Sequence, residues 1–355
     1  MKLRLPNYYK DFKCTADKCN HSCCMAGWEI DIDEKSLEFY QDSNNKLKEK
    51  LKENIIISPT PHFKLDENGI CPFLTEDKLC ELYLNFGENS LCDICSEHPR
   101  YYEFFKDLKE GGIGLCCEEA ARIILTQTEP FSTYEIDIPY ENVDDYNEDL
   151  FDYLLENRKK IFDYLNDSEI PLNSKLKDVL WFANTIQQNI DFNFLDKQEI
   201  FNISSNSKSS IYFILEFLTT LEPNDPNWIP YLKNIIEIYN NNIEKYSTYT
   251  EANPNIKQYL NNIASYFIWR YFLKGTFDEE ILSKVKLMVV SVGILNALFF
   301  CKWLENETIS LEDCIDITRK YSEEIEYSED NLYAFAEATY NLDFLTTESL
   351  LNILE

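Results

Sequence analysis

The sequence predicts a mainly α-helical protein in which an irregular, cysteine-rich, metal-binding N-terminal region packs on a multi-helix bundle. Three observations predict it. Ten of the 12 cysteines lie in the first 117 of 355 residues. Six of only eight glycines fall in the same stretch, the last of them Gly114, so the turns that wrap a chain around a site are concentrated there, and their near absence afterwards implies long uninterrupted helices. Beyond residue 147, apolar residues recur at helical spacing in one segment after another. The expected organisation is a metal-cluster region over residues 1–125, a linker or extended crossing over 126–147, and a helical domain over 148–355.

Within the first region, residues 33–53 read as a helix, with Asp33 as N-cap and Leu37, Tyr40, Leu47 and Leu51 at helical spacing. Another begins near Cys117 and runs through EEAARIILTQ, with Glu118 and Glu119 in its first turn, where they complement the helix dipole. Residues 129–145 carry two prolines and six acids and read as extended; the alternation of Tyr134, Ile136 and Ile138 permits one short strand. Helices then follow over 146–166, 175–189, 209–221, 228–246, 256–274, 279–304 and 310–325, with two short ones near the end. Ser310 is a cap, and Pro223, Pro226 and Pro254 separate neighbours. The most apolar run, residues 287–301, is shorter than the ~20 residues that cross a bilayer and is expected to be a buried central helix.

Sixty-three acidic against 33 basic residues leave a formal charge of -30. That disfavours nucleic acid and anionic membranes as partners and suits a neutral or basic one, although acidity also serves plain solubility. The opening MKLRLPNYYKDFKC lacks the apolar core of a secretory signal, so the expected setting is the reducing cytoplasm. There a dense cysteine cluster reads as metal-binding or catalytic rather than as a disulfide framework.

Thiolates bind zinc in tetrahedral sets of four, and the same ligand set holds a [4Fe-4S] cluster. The spacings fit no standard pattern: only Cys92 and Cys95 form a CxxC knuckle, and Cys14, Cys19 and Cys23 are one residue too widely spaced for a plant-type ferredoxin. Side chains of adjacent residues diverge, so of Cys23 and Cys24 one is a ligand while the other packs or serves a second site. His21, His62 and His98 are further nitrogen donors, His98 reading more readily as a structural residue beside Pro99. A dithiol oxidoreductase using Cys92 and Cys95 is an alternative chemistry.

Five separated blocks carry a family resemblance. CxxxxCxxxCCxxxWxIDID at 14–33, CPFL at 71–74, LC at 79–80, CxxHPR at 95–100 and CEEAAR at 117–122 resemble the flagellin lysine N-methylases, within a wider group of cysteine-cluster proteins often described as zinc- or iron-chelating. A weaker likeness continues in the aromatic stretch YFIWRYFLK at 266–274. The resemblance implies a protein lysine N-methyltransferase acting on flagellin or another lysine-bearing protein, with S-adenosylmethionine as donor and a [4Fe-4S] cluster, zinc being the alternative metal. The matching thiols are Cys14, Cys19, Cys23, Cys24, Cys71, Cys80, Cys95 and Cys117, with Cys92 and Cys116 as weaker matches. Arg100 and Arg122 are candidates to face thiolate sulfur or a donor carboxylate, and Trp28 to face the donor sulfonium by a cation–π contact, or else to pack in the core. Tyr101, Tyr102, Tyr266 and Tyr271 are candidate acceptors for the proton that lysine must lose. Gly111, Gly112 and Gly114 lack the preceding apolar strand of a nucleotide-binding turn. The competing function is non-enzymatic storage, delivery or sensing of zinc or iron.

Overall fold

The computed structural model describes residues 1–42, 47–140, 146–193 and 211–353. Its N-terminal part contains β1 (Lys2–Pro6), α1 (Glu34–Asp42), α2 (Lys48–Asn54), a two-residue ladder of β2 (Ile55–Ile56) with β3 (His62–Phe63), α3 (Glu81–Phe86), α4 (Asp93–Glu97), the hairpin β4 (Arg100–Phe105) and β5 (Leu108–Ile113), α5 (Glu118–Leu125) and β6 (Thr133–Asp137). The C-terminal part is helical: α6 (Glu148–Leu165), α7 (Leu172–Asp191), α8 (Ile211–Leu218), α9 (Trp228–Asn242), α10 (Tyr246–Ala252), α11 (Ile256–Tyr271), α12 (Gly275–Asp278), α13 (Ile281–Leu304), α14 (Leu311–Ile325), α15 (Glu329–Asn341) and α16 (Thr347–Ile353).

The mainly helical reading holds, with one addition. A four-stranded sheet in the order β4-β5-β1-β6 frames the cysteine-rich part, β1 pairing parallel to β5 and antiparallel to β6. Gly111 and Gly112 are strand residues, not a loop: a Cβ at Gly112 would run into the Tyr101 ring of the facing strand. The helix expected over 33–53 appears as α1 and α2, with 43–46 outside the described residues; the expected N-cap holds, since Asp33 accepts from the Ser36 amide at 2.9 Å. The strand allowed around Ile136 is β6, while 141–145 of the extended crossing and 209–210 of one expected helix lie outside the described residues. Ser310 caps α14 in a reciprocal box with Asp313.

Helix α13 is the axis of the main core, with α7, α11, α14, α15, α8 and α9 packed around it. It is long and apolar enough to cross a membrane, but 78% of its most apolar window is buried inside the protein. A second, smaller apolar core lies apart from it, around Ile30, Tyr40, Leu51, Phe63, Phe73 and Leu82. The sheet is fastened to the bundle by a buried ion pair: Arg158 on α6 holds Glu110 on β5 with two bonds of 2.6 and 2.7 Å and stacks 4.5 Å from the Trp269 ring centroid.

One core cation makes stability pH-dependent. Lys286 on α13 is 4% exposed and donates to the Thr339 carbonyl at 2.9 Å. Burial lowers its pKa from 10.5 to about 8, so between those values the unfolded chain binds a proton that the folded chain has released. Stability is therefore expected to rise from pH 8 to 10.5, by up to about 3 kcal/mol relative to Lys286→Met, in urea denaturation of the two proteins side by side. Equal pH profiles would refute this.

Candidate functional site

Two loops bring the thiols together. Gly27 and Gly69 both have positive φ, and a Cβ on Gly69 would lie 2.8 Å from the Gly27 Cα, so glycine is needed where the loops cross. Beside the crossing, the Cys71 amide donates to the Cys24 carbonyl at 2.9 Å. Cys80, Cys92 and Cys117 stand at the N-caps of α3, α4 and α5; burial outweighs the nearby helix amides at Cys80 and Cys117 and raises both, while Cys92 is lowered, first by its contact with Cys95. The α1 and α4 N-termini are tied by Asp33, which also accepts from the Asp93 amide at 2.9 Å.

All 12 cysteines are free. Cys71 and Cys92 are buried in the small core, and Cys24, Cys80 and Cys95 pack against it. Cys14, Cys19, Cys23 and Cys117 are neighbours of one another instead, Cys117 packing on the main core and Cys19 reaching Glu118 at 3.8 Å. In each closest pair one sulfur is favoured as thiolate: the Cys23 thiol lowers Cys24 to about 7, and the Cys95 thiol lowers Cys92. Burial pushes Cys71 up to about 12 and Cys117 to about 11. Cys116 is hydrogen-bonded to Tyr327 and lies near Arg270.

Among the described residues, no three His, Cys, Asp or Glu side chains converge tightly enough for a single ion. One zinc would draw four sulfurs to within about 3.8 Å of each other. A polynuclear iron–sulfur core takes one thiolate per iron and tolerates a wider set. The soft donor set fits such a core.

The loop carrying Cys19 also builds a cleft of about 220 Å³ lined by Asn20, His21, Glu118, Glu312, Asp313 and Asp316. Glu118 fixes one wall, accepting from the Asn20 amide at 2.9 Å; His21 reaches Asp316 on α14 at 3.0 Å. Asp313 and Asp316 also line a second pocket, of about 230 Å³, between α9, α13 and α14, where Trp228 stacks on Tyr231 and Lys302 and Lys320 supply positive charge.

The other expected residues are spread over different roles. Arg122 forks onto Glu312 with two bonds of 2.6 Å, clamping α5 to α14. Arg100 donates to the Ser96 carbonyl at 3.3 Å and lies over Phe12. Trp28 packs at a tilt against His98 and stacks on Tyr327, ring centroids 4.9 and 6.1 Å away, joining the cysteine loops to the helices; burial pushes the His98 pKa down to about 4. His62 pairs with Glu29 at 3.8 Å. Of the four tyrosines, Tyr101, Tyr266 and Tyr271 surround Arg270, while Tyr102 bonds Tyr9 and Glu97. Glu326, unread in the sequence, is the hub: its fully buried carboxylate accepts from Tyr266 and Tyr271 at 2.9 Å each and from Ser322 at 2.7 Å, and pairs with Arg270 at 3.2 Å. Only the charge of Arg270 in an aromatic stretch hinted at such a partner.

Residues 158–353 match the family model of the FliB lysine N-methylase C-terminal domain. The chain belongs to the FliB lysine N-methylase family. The match spans α7 to α16 and begins at Arg158, the residue that anchors the sheet. A different comparison gives 28% identity over 137 residues, 37% of this chain, to the flagellar biosynthetic protein FliU of Salmonella muenchen, of which 80% is covered. The same identity and extent relate this FliB-family chain to the lysine-N-methylases of Salmonella choleraesuis and Salmonella typhimurium, covering 34% of each. The aligned stretch is thus about a third of those two enzymes' length. No solved structure matches.

Proposed function

We propose that this protein is an S-adenosylmethionine-dependent lysine N-methyltransferase that acts on flagellin or a similar lysine-bearing protein and holds an iron–sulfur centre on its N-terminal thiols. Membership in the FliB lysine N-methylase family carries the reading. The acidic cleft beside the thiols supports it: Glu312 there already holds Arg122, and Glu118, Asp313 and Asp316 remain to suit a lysine ammonium. The reading includes a cytoplasmic setting, where free thiols hold metal rather than each other.

Lysine titrates near ~10.4, so transfer at neutral pH requires the amine to lose its proton on binding. The carboxylates draw the ammonium into the cleft, and His21, oriented by Asp316, takes the proton. S-adenosylmethionine, when bound, would supply the methyl group to the freed Nζ lone pair, its sulfur keeping the bonding pair as a neutral thioether. The adjoining pocket, lined by Trp228 and Tyr231, is the candidate donor site. In this reading Arg122 serves as a clamp, and Trp28 as the joint between the cysteine loops and the helices. An iron–sulfur core, when bound, supplies a cross-link and a redox-capable centre on the thiol side of the cleft. The thiol loops in turn hold Asn20 and His21 in place.

The test is methyl incorporation into flagellin lysines by protein purified without oxygen, with His21→Gln alongside. The variant is expected to lower kcat by roughly 10²-fold, with the rate recovering as pH approaches that of free lysine. An unchanged pH profile would remove His21 from the proton path.

A further inference from the structure

We propose that Arg122 and Arg319 are positioning residues of the lysine cleft: held behind its wall, they offset the charge of its carboxylates so that a bound lysine can give up its proton to His21. The proposal rests on the reading of this cleft as the lysine site, and not on any metal or on where the donor binds.

The need comes from the chemistry of the transfer. Carboxylates around an amine favour its ammonium form, whose nitrogen has no lone pair to offer, so a cleft that is too negative binds lysine well and methylates it slowly. Four acidic side chains face the cleft: Glu118 from α5, and Glu312, Asp313 and Asp316 from α14. His21 and the neutral Asn20 face it from the thiol-bearing loop. Without counter-charges, four carboxylates would keep the ammonium rather than release its proton.

The counter-charges stand behind the wall. The Arg122 guanidinium forks onto Glu312, lies 3.7 Å from Glu118, and is anchored outside the cleft by Glu119 at 3.4 Å. Arg319, 8% exposed, donates at 3.0 Å to the same Asp316 oxygen that His21 reaches, and Glu323 anchors its other arm at 2.5 Å. Lys302 of α13 stands 3.9 Å from Asp313 but is held more closely by Glu305, at 2.6 Å. Among the described residues neither arginine lines the cleft, so each acts through the carboxylate it holds. Two guanidiniums against four carboxylates leave charge enough to attract one ammonium. Arginine keeps its proton throughout the working range, so the offset does not vary with pH. Arg319 serves Asp316 in a second way, since it fixes the carboxylate that orients His21. An ion pair as exposed as that of Arg122 with Glu312, at 30% and 63%, contributes little to stability, so the electrostatic role of Arg122 is the larger one.

Steady-state methylation of flagellin by the full chain tests this, with flagellin binding in the absence of donor measured by calorimetry. In Arg122→Gln both KM and kcat should fall, by roughly 3- to 10-fold each, and flagellin should bind tighter by a similar factor, because the bound ammonium gains what proton release loses. The deficit in kcat should close as pH rises toward the ~10.4 of free lysine. Arg122→Lys keeps the charge and should restore both constants, and Arg319→Gln should shift them in the same direction as Arg122→Gln. A purely structural clamp gives the opposite pattern, a raised KM and weaker binding in Arg122→Gln, and that result overturns the proposal. Should Arg319→Gln not fold, as judged by far-ultraviolet circular dichroism, the exposed Arg122 decides alone. Wild-type protein that methylates flagellin while Arg122→Gln matches it in both constants overturns this proposal and leaves the reading of the cleft standing. Wild-type protein that neither binds nor methylates flagellin overturns both.

Discussion

Glu326→Ala is expected to destabilise the protein by about 3–5 kcal/mol, the loss that follows when one member of a buried ion pair is removed and the other charge is left behind. The carboxylate is fully buried and is the common acceptor for Tyr266, Tyr271 and Ser322, while Arg270 sits in a cage of tyrosine faces with its centre 4.6 Å from Tyr101 and 5.1 Å from Tyr327. Aromatic faces stabilise a guanidinium but do not replace an anion. Burial holds the tyrosine hydroxyls in their protonated form, so they cannot serve as that anion. Glu326→Gln keeps an acceptor and should lose less. The damage should also travel: the Leu115 amide lies 3.3 Å from the Tyr266 hydroxyl, and Gly114 is wedged against Tyr327 and Arg270, so the stretch leading to Cys117 rests on this network. Urea denaturation with a metal count reads both effects. A loss under 1 kcal/mol with unchanged metal would contradict the assignment of Glu326 as the hub.

Glu110→Ala should have a similar effect through a different joint. It strips the partner from Arg158, which is 3% exposed, and weakens Arg4, 3.3 Å from the same carboxylate. The same joint includes the Trp269 indole, which donates to the Gly111 carbonyl at 3.0 Å. Because desolvating both charges is itself costly, Glu110→Leu with Arg158→Met should recover most of what either single change loses. A double-mutant cycle measures this. Additive losses would mean that the sheet docks by its apolar contacts and that the pair contributes little.

The helical half was legible because its signals are local. Helical spacing and the Ser310 cap lie within a few residues of what they determine, and most of α6 to α16 follow the expected segments, α10 and α12 falling between them. The sheet was hidden because β1 finds its partners more than 100 residues away, and because Gly111 and Gly112 read as turn residues when they are strand positions kept small by Tyr102 and Tyr101. The thiols were legible as a set but not as groups: which cysteines meet depends on loop crossings such as Gly27 over Gly69. The same holds for Glu326, Ser322 and Arg270, which come from two helices that meet only in the folded chain. Arg100 and Arg122 illustrate the converse, since an arginine near a cysteine in sequence can spend its donors on a carbonyl or a glutamate nearby.

The most direct measurement is mass spectrometry of flagellin after incubation with the oxygen-free purified protein and S-adenosylmethionine carrying a labelled methyl group. The account predicts label on lysine Nζ that depends on the donor and is lost in Asp316→Ala, whose carboxylate orients His21 and lines both pockets. Folded, metal-loaded protein that neither binds the donor nor labels any lysine would contradict it.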